Sequence, residues 1–204
     1  MTPALLPLYV RSRGLPGAAV ALAVLFAASR WGADWLVGRP FFDTGARVPV
    51  VVLAPVLAAA VTGVSLHTHS GEVDRGAPLP WWRWRAVHLL ALTGPAVLWL
   101  GAAVPGDPDR FGAPTMVRGV LGFTGLAAAG AAVLGARLSW LPPVLYGGSV
   151  YMAAPRTPGG AAAVWAWSMQ PGAQPAAWAT AAVLFAGGAA LVAVRGPAAP
   201  GGCG

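Results

Sequence analysis

Lysine is absent from this chain, and all 13 of its basic side chains are arginine. Without lysine there is no Walker A motif, which excludes nucleotide binding through a P-loop. The His-Glu-x-x-His motif of zinc hydrolases and the Gly-x-Ser-x-Gly motif of serine hydrolases are also missing. The sequence therefore predicts no enzymatic activity and no bound cofactor.

Charge of either sign is scarce, because only 9% of the 204 residues are charged whereas 57% are hydrophobic. Soluble domains carry roughly 25% charged residues, so a soluble fold of this length would lack the polar surface that it needs. The composition indicates a surface that faces lipid. The length fits one transmembrane domain over residues 1–204.

The single cysteine, Cys203, excludes a disulfide within the chain. The net charge is +7, but the arginines stand singly between apolar segments and form no clustered basic face. We therefore expect no nucleic-acid partner. Alanine, glycine, proline and arginine are abundant, and their GC-rich codons suggest a bacterial genome of high GC content.

Apolar segments alternate with polar connections along the chain, and this pattern predicts an all-α polytopic bundle of about six spans. A helix needs about 20 apolar residues to cross the hydrocarbon layer, and the fifth segment is short by this measure. The predicted spans are residues 15–37, 48–66, 86–104, 117–136, 140–154 and 176–194. Residues 161–169 are too few to span and too apolar for a free loop, so we expect a re-entrant or interfacial half-helix there.

The arginines between the spans predict an orientation in the plasma membrane. If the amino terminus is cytoplasmic, seven arginines flank the cytoplasmic ends, namely Arg11, Arg13, Arg75, Arg83, Arg85, Arg137 and Arg195. Five lie outside, namely Arg39, Arg47, Arg110, Arg118 and Arg156. This bias has the sign of the positive-inside rule, and an even number of spans predicts that both termini are cytoplasmic.

Small residues mark the fourth predicted span as a packing surface. Gly119, Gly122, Gly125 and Gly130 follow one another along it. Since lipid tails supply no hydrophobic drive between helices, glycines promote association by letting backbones approach closely. We expect other helices to pack on these four positions.

Arg30 and Asp34 lie within the first span and are four residues apart. That spacing places them on one helix face, where they can form an ion pair. Ionisable groups at membrane depth are candidates for function, although a pair that snorkels to the nearby interface beside Trp31 and Trp35 explains them as well.

The connection between the second and third spans is the most polar stretch, and His67 and His69 are its candidate metal ligands. Two imidazoles and two carboxylates within eight residues suit zinc or a similar ion. However, His67 and His69 would point to different faces of a helix, and no second cluster completes a coordination shell. A solvated cytoplasmic loop accounts for the same residues.

The same connection carries candidates for docking of a partner. Tryptophan and arginine are frequent interface anchors, and acidic residues add charge complementarity. The candidates are Glu72, Asp74, Arg75, Trp81, Trp82 and Trp84. Anchoring of the Trp81–Arg85 run in the headgroup layer is the alternative explanation.

Four segments between Val61 and Val194, about two-thirds of the chain, carry a family resemblance. They are the Glu72 connection before His88-Leu89-Leu90, residues 118–126, residues 135–142, and Trp165-Ala166-Trp167 before the last span. Together they resemble small bacterial export-type (ABC-2-like) ABC transporter permeases.

The resemblance implies six spans, a cytoplasmic connection after the second span that couples to a separate ATPase, and half-helices before the sixth. It also implies assembly as a homo- or heterodimer. The chain departs from the pattern in having only Met1 to Gly14 before its first span, where such permeases carry an amphipathic helix.

Two alternatives to a permease stay open from the sequence. One is a membrane scaffold or regulatory protein that transports nothing. The other is a metal-dependent membrane enzyme that uses His67 and His69.

Overall fold

The computed structural model describes residues 14–37, 47–67, 81–104, 111–155 and 157–198. All regular structure in these ranges is helical, and no strand occurs among them. The α-helices are α1 (Leu15–Val37), α2 (Val48–Ser65), α3 (Trp81–Ala103), α4 (Ala113–Leu134), α5 (Leu141–Ala153), α6 (Ala162–Trp165) and α7 (Pro175–Arg195). Two 3₁₀ turns, Ala136–Leu138 and Trp167–Met169, precede α5 and α7. The predicted all-α bundle is confirmed.

Proline and glycine set several helix boundaries. A proline occupies one of the first two positions of α2, α4, α5 and α7, where its missing N–H costs no hydrogen bond. Gly135 and Gly196 follow α4 and α7 with φ of 90° and 74°, a backbone conformation that side chains disfavour. The predicted spans therefore begin and end within a few residues of these helices, except that α3 starts at Trp81 and not at Ala86.

Five helices, α1 to α4 and α7, are long and apolar enough to cross a membrane. The predicted fifth span, residues 140–154, is not among these five helices. It forms α5, which has 13 residues and is therefore about 20 Å long, against about 30 Å of hydrocarbon. The 15 apolar residues 140–154 do not by themselves determine whether α5 extends across the whole hydrocarbon layer.

Contacts between helices define two ends of the bundle. Gly32, late in α1, lies beside Val50 at the start of α2, so α1 and α2 are antiparallel. Leu66, just after α2, clusters with Leu89 of α3 and Val192 of α7. We call the end where α1 begins and α2 ends the proximal end, and the opposite end, where α2 and α4 begin, the distal end.

Helices α4 and α7 run parallel to each other. Arg118 near the start of α4 contacts the segment just before α7, and Gly125 contacts Gly188. Past the end of α7, the Ala198 N–H donates to Ala131 O near the end of α4 at 3.0 Å. The chain must therefore return from the proximal to the distal end between α4 and α7, and α5 with residues 157–174 lies along this return. As a result, Gly14 and Ala198 lie at the same end of the bundle.

Candidate functional site

A buried arginine holds the segment before the last span inside the bundle. Arg118 lies one turn into α4 and is 0% exposed. Its Nη1 donates to Pro171 O at 2.8 Å, and its Nη2 donates to Gln170 O. The Gln170 side chain is buried in turn and its Oε1 accepts the Gly159 N–H at 2.8 Å. The two ends of the re-entrant segment, which we define as residues 157–174, are thereby fastened to α4.

Aromatic rings pack between the re-entrant segment and helices α4 and α5. The indole of Trp167 is 1% exposed, and its centroid lies 5.0 Å from that of Phe123 and 5.9 Å from that of Tyr146. The Tyr146 hydroxyl donates to Trp165 O at 2.6 Å. Helix α5 therefore supports the re-entrant segment from one side while α4 supports it from the other.

The four glycines of α4 are contact positions, as their sequence pattern predicts. A Cβ at Gly119 would lie 2.9 Å from Pro55 Cγ of α2, and one at Gly130 would lie 2.9 Å from Pro142 Cγ of α5. Gly122 faces the Trp167 ring, and a Cβ at Gly125 would collide with the Leu184 carbonyl of α7. The missing side chains thus give α4 four close neighbours.

The re-entrant segment retains unused hydrogen-bonding capacity. Arg118 Nε and Ser168 Oγ are buried and have no hydrogen-bond partner within the described ranges. Nor does any carboxylate of those ranges pair with Arg118. Buried polar groups in proteins are nearly always satisfied, so this place is energetically unusual.

The burial of Arg118 is a correction to the sequence prediction, which placed it at the outer end of the fourth span, residues 117–136, and counted it among the outer arginines. The fourth helix begins at Ala113, four residues before the predicted start, so Arg118 lies more than one turn from its end. Its carbonyl partners lie 52 and 53 residues further along the chain, so no local pattern could identify them. Gln170 and Tyr146 were missed for the same reason.

A second polar contact joins α2 and α3 near the proximal end. Ser65 Oγ lies 3.2 Å from His88 Nε2, and it donates its own proton to Thr62 O at 2.6 Å. The Ser65 proton is directed at Thr62 O and not at the imidazole, so the pair lacks the arrangement of a serine activated by a histidine base. Nearby, Arg85 Nη1 donates to Ala193 O at 3.3 Å and links α3 to α7.

The docking candidates divide between described and undescribed residues. Trp81, Trp82 and Trp84 form the first turn of α3 instead of a loop, and Trp82 is exposed with the Arg83 guanidinium 5.4 Å from its ring centroid. The acidic and basic candidates Glu72, Asp74 and Arg75 lie outside the described residues. Their role in docking stays a prediction.

Only one of the two proposed metal ligands lies among the described residues. His67 follows the end of α2, and His69 lies outside the described residues. Within the described ranges, no group of three histidine, cysteine or acidic side chains is close enough to hold a metal ion.

The ion pair predicted in the first span is present. Arg30 Nη1 lies 3.0 Å from Asp34 Oδ1, and the two side chains are 46% and 51% exposed. The Trp31 and Trp35 rings stack beside them at a centroid distance of 6.3 Å. All four side chains are exposed on the surface of the bundle.

Among the described residues, the polar contacts inside the bundle include those of Arg118 with the re-entrant segment and of Ser65 with His88, and one ion pair lies on the outer surface. Comparison with protein-family models, curated proteins and solved structures finds no match.

Proposed function

We propose that this chain is the membrane-spanning subunit of an export-type ABC transporter and works with a separate ATPase subunit. The re-entrant segment is the observation that carries the proposal. Irregular backbone at membrane depth is tolerated only where protein buries it or where it lines a cavity. Transporters use broken helices in this way to place polar backbone groups along the substrate path, whereas a scaffold has no need of them.

The depth of the segment supports a role in transport. Gly122, which faces the Trp167 ring, is nine residues from the start of α4 and therefore about 13 Å along its axis. The re-entrant segment thus reaches from the distal end toward the middle of the bundle. Arg118 lies between the distal end and Gly122, and its Nε–H, which has no partner in the described part of the chain, suits a substrate group that accepts hydrogen bonds.

The proximal end is the proposed cytoplasmic face of the plasma membrane. Of the arginines assigned to the outer side from sequence, Arg118 is buried and no longer counts, so seven cytoplasmic arginines stand against four. Both termini would then be cytoplasmic, and residues 68–80 would connect α2 and α3 on the side where an ATPase acts. The transporter would be a dimer, since ABC permeases enclose a path between two membrane subunits.

Purification of the full-length chain from its native membranes tests this function. After extraction in mild detergent, we expect an ATP-binding cassette protein to co-purify in near-stoichiometric amount and the complex to hydrolyse ATP. Co-purification of a sensor or an enzyme without any ATPase would contradict the proposal and favour a scaffold.

A further inference from the structure

The outer face of α1 carries charge where a lipid-facing surface should carry none. Helix α1 has 23 residues and is centred at Phe26. If that centre lies at the bilayer midplane, Arg30 is about 6 Å and Asp34 about 12 Å from it along the axis, inside a hydrocarbon half-layer of about 15 Å. Charged residues at such depth nearly always face protein or a water-filled cavity. In the single chain this pair faces neither.

The exposed residues that precede the ion pair along the same edge of α1 are small. Ala19, Ala23 and Ala27 are exposed at successive four-residue intervals, and Arg30 and Asp34 continue the same edge of the helix. Leu22 and Ala33, about a quarter turn around α1 from this edge, are buried against its own bundle. This alanine edge, residues 19, 23, 27, 30 and 34, allows a neighbouring backbone to approach up to the level of the charges.

The alanine edge carries one charge of each sign, so it is electrostatically complementary to the same edge of a second copy. In a twofold dimer whose axis is the membrane normal, two copies of α1 run parallel and each patch meets its own copy. Arg30 of one copy then lies one helical turn from Asp34 of the other, so the two intramolecular pairs can join in a ring of alternating charge. A helix bearing only one sign of charge would repel its copy in this arrangement.

We propose that the alanine edge of α1 is the contact surface for a second copy of this chain. The inference deepens the dimer of the proposed function and rests on that part of it. It does not depend on the ATPase or on a transported substrate, so its test can fail while the ATPase still co-purifies.

Cysteine cross-linking in native membranes tests the contact. The single native cysteine is removed by Cys203→Ser, and Ala27→Cys is introduced at the middle of the alanine edge. We expect mild oxidation to yield a disulfide-linked dimer of this chain, because the Cβ atoms must approach to about 4 Å. The matched control is Val183→Cys, which is 71% exposed near the middle of α7 and should remain monomeric.

Charge exchange separates the proposed contact from chance collision. In the Ala27→Cys chain, Asp34→Arg should lower the association constant about three- to tenfold, the range for interhelical polar contacts in membranes. The double change Arg30→Asp with Asp34→Arg restores alternating charge and should restore the linked dimer. Equal linking at positions 27 and 183, linking to a different protein, no linking at all, or no rescue by the exchange would each overturn the proposal.

Discussion

Arg118 is held by main-chain carbonyls instead of by an acidic side chain. The carbonyls of Gln170 and Pro171 follow the 3₁₀ turn Trp167–Met169, and carbonyls beyond the end of a helical turn lack a partner within it. The guanidinium supplies two donors in a planar fork, which one ammonium group cannot reproduce. A single residue of α4 therefore satisfies backbone groups that would otherwise be buried unpaired.

Replacement of Arg118 by methionine should release the re-entrant segment. Each buried carbonyl left without a donor costs about 1–3 kcal/mol, so we expect a clear loss of thermal stability in detergent. Arg118→Lys should retain part of the stability through one remaining donor. The measurement is the midpoint of heat-induced aggregation, and the control is Arg137→Met at an exposed arginine, with an expected effect within about 0.5 kcal/mol. Equal effects of the two substitutions would contradict the role of Arg118 in holding the re-entrant segment.

The sequence was a poor guide to this residue but a good one to the glycines beside it. An arginine next to an apolar run has the same local pattern whether it ends a span or enters one, and only contacts across 52 or more residues decide between them. Glycine spacing, in contrast, marks a contact surface without reference to the partner. Gly119, Gly122 and Gly125 were therefore predicted as contacts, whereas their partners Pro55, Trp167 and Leu184 were not.

At the scale of elements, hydrophobic length identified the five helices that are long and apolar enough to cross a membrane, and it also selected the shorter α5. Length and composition decide whether a helix can cross, but the path of a shorter helix depends on what receives its end. Here Tyr146 of α5 binds Trp165 O, and the re-entrant segment completes the return that α5 begins. The half-helix predicted over residues 161–169 is one α-helical turn followed by a 3₁₀ turn, in which Ala163, Ala166 and Trp167 are buried whereas Val164 and Trp165 are exposed.

The contact between α4 and α7 should be intolerant of added side chains. A leucine at Gly125 would collide with the α7 backbone, so we expect Gly125→Leu to abolish the monodisperse peak in size-exclusion chromatography. Leu126→Ala removes only a partly buried side chain and should cost about 1–2 kcal/mol.

A matched pair on α7 tests the same contact from the other side. Gly188→Ala would meet the Gly125 backbone, whereas a Cβ at Gly187 meets nothing within 4 Å. Identical elution of Gly188→Ala and Gly187→Ala would contradict the close approach of α4 and α7 at Gly125 and Gly188.

The first turn of α3 and the connection before it form the predicted docking surface for a cytoplasmic partner. Trp82 is 53% exposed and can serve as an anchor, whereas Glu72 supplies charge at the rim. We expect Trp82→Ala and Glu72→Arg to reduce co-purification of the ATPase while membrane insertion is unchanged.

Trp99 provides the control for this docking experiment. It is also an exposed tryptophan of α3 but lies near the distal end, so Trp99→Ala should leave the partner bound. Retention of every partner by the Trp82→Ala and Glu72→Arg variants would assign these residues to the headgroup layer and to solvent.

At the scale of the whole molecule, the parallel arrangement of α4 and α7 fixes the relation between the two ends of the chain. Because α5 and the re-entrant segment return the chain to the distal end, reporters fused before Gly14 and after Ala198 should occupy the same side, which we expect to be the cytoplasm. A reporter placed after Gly112 at the distal end should give the opposite signal. Opposite signals from Gly14 and Ala198 would mean that the segment between α4 and α7 does not cross.

The close backbone approach between Gly125 and Gly188 also has a consequence for biosynthesis. The ribosome makes α4 long before α7, and the groove over Gly125 stays empty until the last helix enters the bilayer. Until then, helices α1 to α4 form an incomplete bundle in which the hydrogen bonds from Arg118 to its carbonyl partners are absent. A premature stop codon after residue 170 would remove only a sixth of the protein, yet it would leave every earlier helix without the element that closes the fold. Such a nascent chain is a natural substrate for membrane proteases that survey unassembled helices.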